Sequence, residues 1–166
     1  MKTIRATLLY ITREDRILLV YKKRGHGEGK WNGIGGKIED ESPLRCAIRE
    51  AEEEAGVRVR DAELCGIIYF YSIYGQDWEV YVFRSSEFTG EPSESDEVSP
   101  KWFPLNEIPY DAMWEDDREW LPMLIRGDYF IGRYLFNVDK LISSSLQIVP
   151  KQKLQCEYRT ALRNAV

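Results

Sequence analysis

Three glutamates at helical spacing are the residues of this chain best placed to do chemistry: Glu50, Glu53 and Glu54, with Arg49 directly before them. At about 100° per residue they fall within a roughly 100° arc. Like charges at i, i+3 and i+4 disfavour an isolated helix, so the arrangement calls for a cation. Hard carboxylate oxygens select Mg2+ or Mn2+, ions that also bind phosphates. Arg49 lies four residues before Glu53 and can orient that carboxylate. The plain alternative is an acidic face turned to water. Such a face has no use for Gly35 and Gly36 ahead of it, Gly56 behind it and Glu41 between.

The elements that must hold these side chains are legible from local signals. Ser42 caps a helix, Pro43 suits its first turn and Gly56 its end. Leu44, Ile48, Ala51 and Ala55 share the face opposite the acids, so one stripe is buried and the other presents carboxylates. Residues 3–11 and 17–22 read as strands around the turn REDR, and 25–36 as a Gly-rich loop. Residues 64–74 and 78–84 are aromatic and β-branched, giving two more strands. A loop over 90–100 leads to a short strand at KWFPL. Residues 116–126 form a second helix with Pro122 in an early turn, followed by a terminal hairpin from FIGRYLFN and SSSLQIV. Residues 150–166 change composition and are expected to be a frayed tail, with a docked helix as the alternative.

Residues 35–57, GGKIEDESPLRCAIREAEEEAGV, resemble the Nudix box, Gly-x5-Glu-x7-Arg-Glu-U-x-Glu-Glu-x-Gly-U, where U is a bulky aliphatic residue. Its seven fixed positions are Gly35, Glu41, Arg49, Glu50, Glu53, Glu54 and Gly56. At residue frequencies of roughly 5–7% each, such a coincidence arises in about one window in 10⁸ to 10⁹. The departure is Ala51 at the first U. The resemblance implies an α/β/α sandwich with a mixed central sheet, spanning residues 1–149 with 150–166 as an extension. It also implies attack of water on a phosphorus of a nucleotide with a divalent cation, Mg2+ or Mn2+, bound. Arg49, Glu50, Glu53 and Glu54 would be the catalytic set. Glu53 and Glu54 are the main ligand candidates, with Glu50, Gly35 and Glu97 close by.

Three further segments, KKRGHGEGKWNGIGGK (22–37), SDEVSPKWF (95–103) and MWEDD (113–117), are similar to the branch of that family acting on oxidised purine nucleoside triphosphates. By position, that likeness implies a base pocket lined by Thr7, Lys22, Asn32, Phe70, Trp114, Asp116 and Asp117. A purine needs an aromatic wall and polar groups at its edge; Asn32 offers a donor and an acceptor. Two adjacent carboxylates repel, so one can stay protonated. Singly, each has a plainer reading: Asp116 and Asp117 as helix caps, Phe70 and Trp114 as core, Asn32 as a turn residue. His26 stands where that branch has Phe and is expected to be a loop residue, and 71–78 also departs from it. Other nucleotides, or binding without turnover, are the competing readings.

Net charge is −5 with a sequence pI near 5.1, which argues against stable nucleic-acid binding. Cys46, Cys65 and Cys156 are three, without metal-ligand spacing, so reduced thiols in the cytoplasm are expected. No apolar run approaches the roughly 20 residues of a membrane span. A nucleotide substrate and a monomeric chain complete the expectation.

Overall fold

Strands with apolar residues on both sides must be covered on both, and this chain supplies helices for each face. The computed structural model describes residues 2–165. In strand β1 (Ile4–Arg13), Leu9 and Ile11 belong to one buried cluster, while Ala6 and Tyr10 belong to the other. Strand β2 (Arg16–Lys22) divides in the same way, Leu18 and Val20 against Ile17 and Leu19. The result is a mixed sheet between two helical layers, as expected from the sequence.

After β2 come β3 (Trp31–Asn32), β4 (Ile34–Lys37), β5 (Arg58–Ser72), β6 (Trp78–Thr89), β7 (Val98–Pro104), β8 (Tyr129–Asn137) and β9 (Lys140–Val149). The strand order is β3-β2-β1-β6-β5-β8-β9, with β4 on β1 and β7 on β2. The β1–β6 and β5–β8 pairs are parallel and the others antiparallel. Strand β1 changes partner along one edge: Ile11–Arg13 pair with β2, whereas Ala6–Leu9 pair with β4. Residues from both sides of this split line the cavity described below.

Two sequence expectations need correction. The segment 25–36 contains β3 and the start of β4 rather than loop throughout. Gly35 hides the strand: a side chain there would overlap the Thr7 carbonyl on β1. The tail is the second. Residues Lys151–Asn164 form helix α3, with Leu154 and Ala161 buried in the sheet's first cluster. Tyr158 meets Tyr81 edge-on with centroids 5.5 Å apart, and Tyr69 donates a hydrogen bond to Glu157 at 2.8 Å. The helical spacing of Leu154, Tyr158 and Leu162 outweighs terminal fraying because the sheet offers an apolar face to cover.

Helix α1 (Pro43–Ala55) is bounded as the sequence indicates. The Ser42 hydroxyl accepts the Arg45 N–H at 3.2 Å, and Gly56 closes the helix at φ +68°. Ala47, Ala51 and Ala55 are wholly buried, so small residues, including the departing Ala51, form the seam against the sheet. Helix α2 (Asp117–Arg126) covers the opposite face through Trp120, Leu121 and Leu124 and carries Pro122 internally. Among the described residues, no helix is long and apolar enough to cross a membrane.

Candidate active site

A cavity of about 730 Å3 opens beside the split in the sheet. Thr7, Lys22, Asn32, Phe70, Trp114, Asp116 and Asp117 all line it. They come from β1, β2, β3, β5, the segment just before α2 and the first residue of α2, so the fold brings together residues 110 positions apart (117 less 7). Gly35 borders the same cavity. The Thr7 hydroxyl is engaged with the Cys46 thiol, 3.3 Å away.

Asp116 and Asp117 are each only 2% exposed. Asp116 precedes α2 but makes no side-chain cap; its Oδ2 accepts the Trp120 indole N–H at 2.7 Å. The capping reading of the pair therefore gives way. Asp117 Oδ2 is buried with no hydrogen-bond partner. Burial, less the Trp120 hydrogen bond, pushes Asp116 up to about 6. Burial and then the charge of Asp116 raise Asp117 well above the carboxylate range. Two adjacent buried carboxyls do not both ionise readily, so the pair retains a proton to higher pH than a free carboxylate would. The Asn32 Oδ1 accepts the Gly33 N–H at 3.0 Å, so its amide hydrogens are the groups left to a ligand.

The aromatic wall is richer than the sequence indicates. Phe70 stacks on Tyr134 with centroids 5.8 Å apart, and Trp114 meets Phe136 edge-on. Trp78, Phe136 and His26 also line the cavity and were not singled out as site residues. The signal was the departure of His26 and of 71–78 from the related pattern. His26 is indeed in a loop, but its ring stacks on Trp78 at 4.9 Å and 24° and on Trp114 at 5.3 Å and 20°.

No α1 residue lines this cavity; the acids form a neighbouring edge. Arg49 organises it. Its guanidinium donates to both Glu41 oxygens, at 2.5–3.2 Å, to Glu50 at 3.0 Å and to Glu53 at 3.1 Å. Glu53 alone thus understates its partners: Glu41, eight residues back, receives the two-oxygen contact that fits a planar guanidinium. Any side chain at Gly36 would overlap the Glu50 carboxylate, which explains a glycine there. Glu54 Oε2 is buried without a partner, and burial, opposed by Lys22, pushes Glu54 up to about 7. Glu50 is raised by burial as well. Glu97 is paired instead with Arg24, at 2.6 Å, although its charge still reaches Glu54.

These acids fit a divalent cation. Glu54 presents an orphaned hard oxygen in a partly dry setting, Glu50 stands beside it, and raised carboxyls are what a neighbouring cation would restore to the ionised form. Among the described residues, no three His, Cys, Asp or Glu side chains already converge into a metal cage.

Residues 1–124 match the NUDIX domain family. The chain is 41% identical over 132 residues to the oxidized purine nucleoside triphosphate hydrolase of Danio rerio, spanning 78% of this chain and 85% of that one. It is 37% identical over 146 residues to the protein of that name from Mus musculus, spanning 86% and 94%. The crystal structure of a mutator MutT protein from Bacillus halodurans superposes with a TM-score of 0.79 at 28% identity, covering 89% of this chain and 99% of that one.

Proposed function

The chain belongs to the Nudix family, and from that premise we propose that it hydrolyses oxidised purine nucleoside triphosphates, 8-oxo-dGTP-like, to the monophosphate and pyrophosphate. The relatives in Danio rerio and Mus musculus carry the corresponding name. The observation that carries the reading in this chain is the buried Asp116–Asp117 pair on the floor of an aromatic cavity, with Asp117 Oδ2 unpaired.

Oxidation at C8 turns the N7 acceptor of guanine into an N–H donor. Ionised Asp116 has one oxygen on Trp120 and the other for that donor, where intact guanine would present a repelling lone pair. Protonated Asp117 donates to a purine carbonyl. Leaving a buried polar group unmatched costs roughly 1–3 kcal/mol, so about ten- to a hundredfold selectivity is available. Asn32 completes the polar edge, and Trp114 and Phe70 supply stacking surface.

Lys22 lines the cavity and acts electrostatically on Glu54, so its ammonium sits between base pocket and acids and suits a triphosphate passing from one to the other. We assign Glu50, Glu53 and Glu54 to hold Mg2+, with Mn2+ able to substitute, and Glu97 and the Gly35 main chain to the rim of that site. When bound there, such an ion would supply neutralisation of phosphate charge and acidification of the attacking water. Arg49 fixes the carboxylates in position, and a box glutamate takes the proton. One copy of the chain supplies every residue in this scheme, so a monomer suffices. The three cysteines, all free and two of them buried, suit a reducing, cytoplasmic setting. Turnover with Mg2+ across 8-oxo-dGTP, 2-hydroxy-dATP, dGTP, ATP and ADP-ribose tests the reading: the oxidised purines should lead, and equal or greater turnover of ADP-ribose would overturn it.

A further inference from the structure

The ring of His26 occupies an unusual position for a loop side chain. It lies nearly parallel to both Trp78 and Trp114, at centroid distances of 4.9 and 5.3 Å. An imidazole face is too small to carry two indoles side by side, so the ring lies between them, one on each face. A planar heterocycle held between two indoles within a nucleotide-sized cavity is the arrangement a nucleobase would itself adopt. The three rings all line the cavity that ends at Asp116 and Asp117.

Its surroundings favour a ring that can leave. Gly25 and Gly27 flank it at φ +81° and +83°, so neither neighbour has a side chain to obstruct rotation, and nothing lies within 4 Å of where a Gly25 Cβ would be. The loop backbone is fixed independently: the Glu28 N–H bonds Gly25 O, the Lys30 N–H bonds Gly27 O, and the Gly29 N–H bonds Lys22 O. The side chain can therefore swing while the turn stays. Its hold is stacking alone: among the described residues the imidazole makes no hydrogen bond or ion pair. Lys22 and Lys37 face it and, after burial, lower its pKa; Lys30 lies 5.1 Å over Trp114 and Lys37 5.9 Å from Trp78. Burial first, and then the cations around the stack, favour the neutral imidazole, and these neighbours offer no carboxylate that would anchor it.

We propose that His26 is a displaceable placeholder for the base, filling the gap between Trp78 and Trp114 in the free protein and swinging out when a purine stacks there. This rests on the reading of the cavity as a purine site. Placeholding imposes a common affinity penalty on every incoming base, so nucleotides with poor contacts to the floor are rejected. It also speeds departure of the monophosphate, because the imidazole returns to the slot.

A wall residue and a placeholder predict opposite signs. If His26 forms part of the wall, removing it weakens binding. If it must be displaced, His26→Ala should bind 8-oxo-dGMP more tightly, by about three- to tenfold from the stacking no longer broken. His26→Phe, which refills the slot, should bind no more tightly than the wild type. The chain has one histidine, so its imidazole resonances are unambiguous. In the free protein they should lie upfield, shielded by two indoles, and should move downfield as 8-oxo-dGMP saturates the site, with saturation followed by tryptophan fluorescence. Saturable binding with unmoved imidazole signals, or weaker binding by His26→Ala, overturns the placeholder and leaves the purine site standing. No binding of 8-oxo-dGMP at all overturns both.

Discussion

The base cavity and the acidic edge of α1 sit side by side but differ in how complete they are. The cavity is largely settled within the protein: its rings stack on one another and Asp116 is tied to Trp120, with Asp117 Oδ2 as its unpaired polar atom. The acidic edge is provisional. Arg49 spreads one guanidinium over Glu41, Glu50 and Glu53, the Glu53 side chain is 59% exposed, and Glu54 keeps an oxygen without a partner. Recognition can be built from packed groups alone, whereas a cluster of like charges can close only around a cation that arrives from outside. Loss of a group from the edge should therefore abolish turnover without altering selectivity. Loss of a group from the cavity should alter selectivity and leave the hydrolytic machinery working.

The largest expected effect lies on the edge. Glu54→Gln, and separately Glu53→Gln, should cut Mg2+-dependent turnover by at least about 10²-fold with the fold intact, since as the proposed metal ligands they would act on transition-state charge. The ratio of 8-oxo-dGTP to dGTP turnover should survive whatever activity remains. Undiminished turnover in both variants would remove these glutamates from the site. Arg49→Lys should cost less, about ten- to a hundredfold, because an ammonium cannot bridge Glu41 with two parallel hydrogen bonds while reaching Glu50 and Glu53. A kcat close to wild type would show that the carboxylates need no such tether.

Smaller effects concern stability. Deleting residues 150–166 removes the buried Leu154 and Ala161 and the Tyr69–Glu157 hydrogen bond. The melting temperature should fall by more than about 5 °C, on the order of 1–2 kcal/mol for a domain of this size. An unchanged melting temperature would mean that α3 adds nothing to the core. The buried aspartates give a pH signature. Their pKa values are raised on folding, so the folded state binds more protons than the unfolded chain. Their contribution to stability is then greatest below about pH 4 and declines as pH rises toward the folded values. Asp117→Asn keeps a donor but cannot ionise. Its melting temperature should exceed that of the wild type by more at pH 8 than at pH 4. An equal difference at both pH values would place Asp117 outside this linkage.

What could be read in advance follows the range of the interactions. Ser42, Pro43 and Gly56 act on their nearest neighbours, so both ends of α1 were legible. The layered fold is implied by the Nudix-box resemblance, and the both-sided burial of β1 and β2 agrees with it. The β4 strand was not legible because its identity lies in pairing with Ala6–Leu9, and Gly35 and Gly36 look like loop without that partner. The Arg49–Glu41 contact crosses from a loop to a helix, and spacing on the helix alone pointed to Glu53. The Trp78–His26–Trp114 stack joins residues 88 apart (114 less 26), and only the departure of His26 and 71–78 from the related pattern hinted at it. Helix α3 is docked although terminal: the helical spacing of Leu154, Tyr158 and Leu162 describes an apolar face, and Leu154 and Ala161 are buried.

The division of labour is tested most directly by the ratio of kcat/KM for 8-oxo-dGTP to that for dGTP, measured in the wild type and in Asp116→Asn. With its oxygen retained by Trp120, the asparagine turns its amide hydrogens toward the ligand, where intact guanine offers a lone pair and the oxidised base an N–H. The account predicts a wild-type preference of at least about tenfold for 8-oxo-dGTP, and a ratio in Asp116→Asn that falls to unity or inverts while dGTP hydrolysis continues. A wild type indifferent to oxidation, or a variant in which both values drop together at a constant ratio, would contradict it.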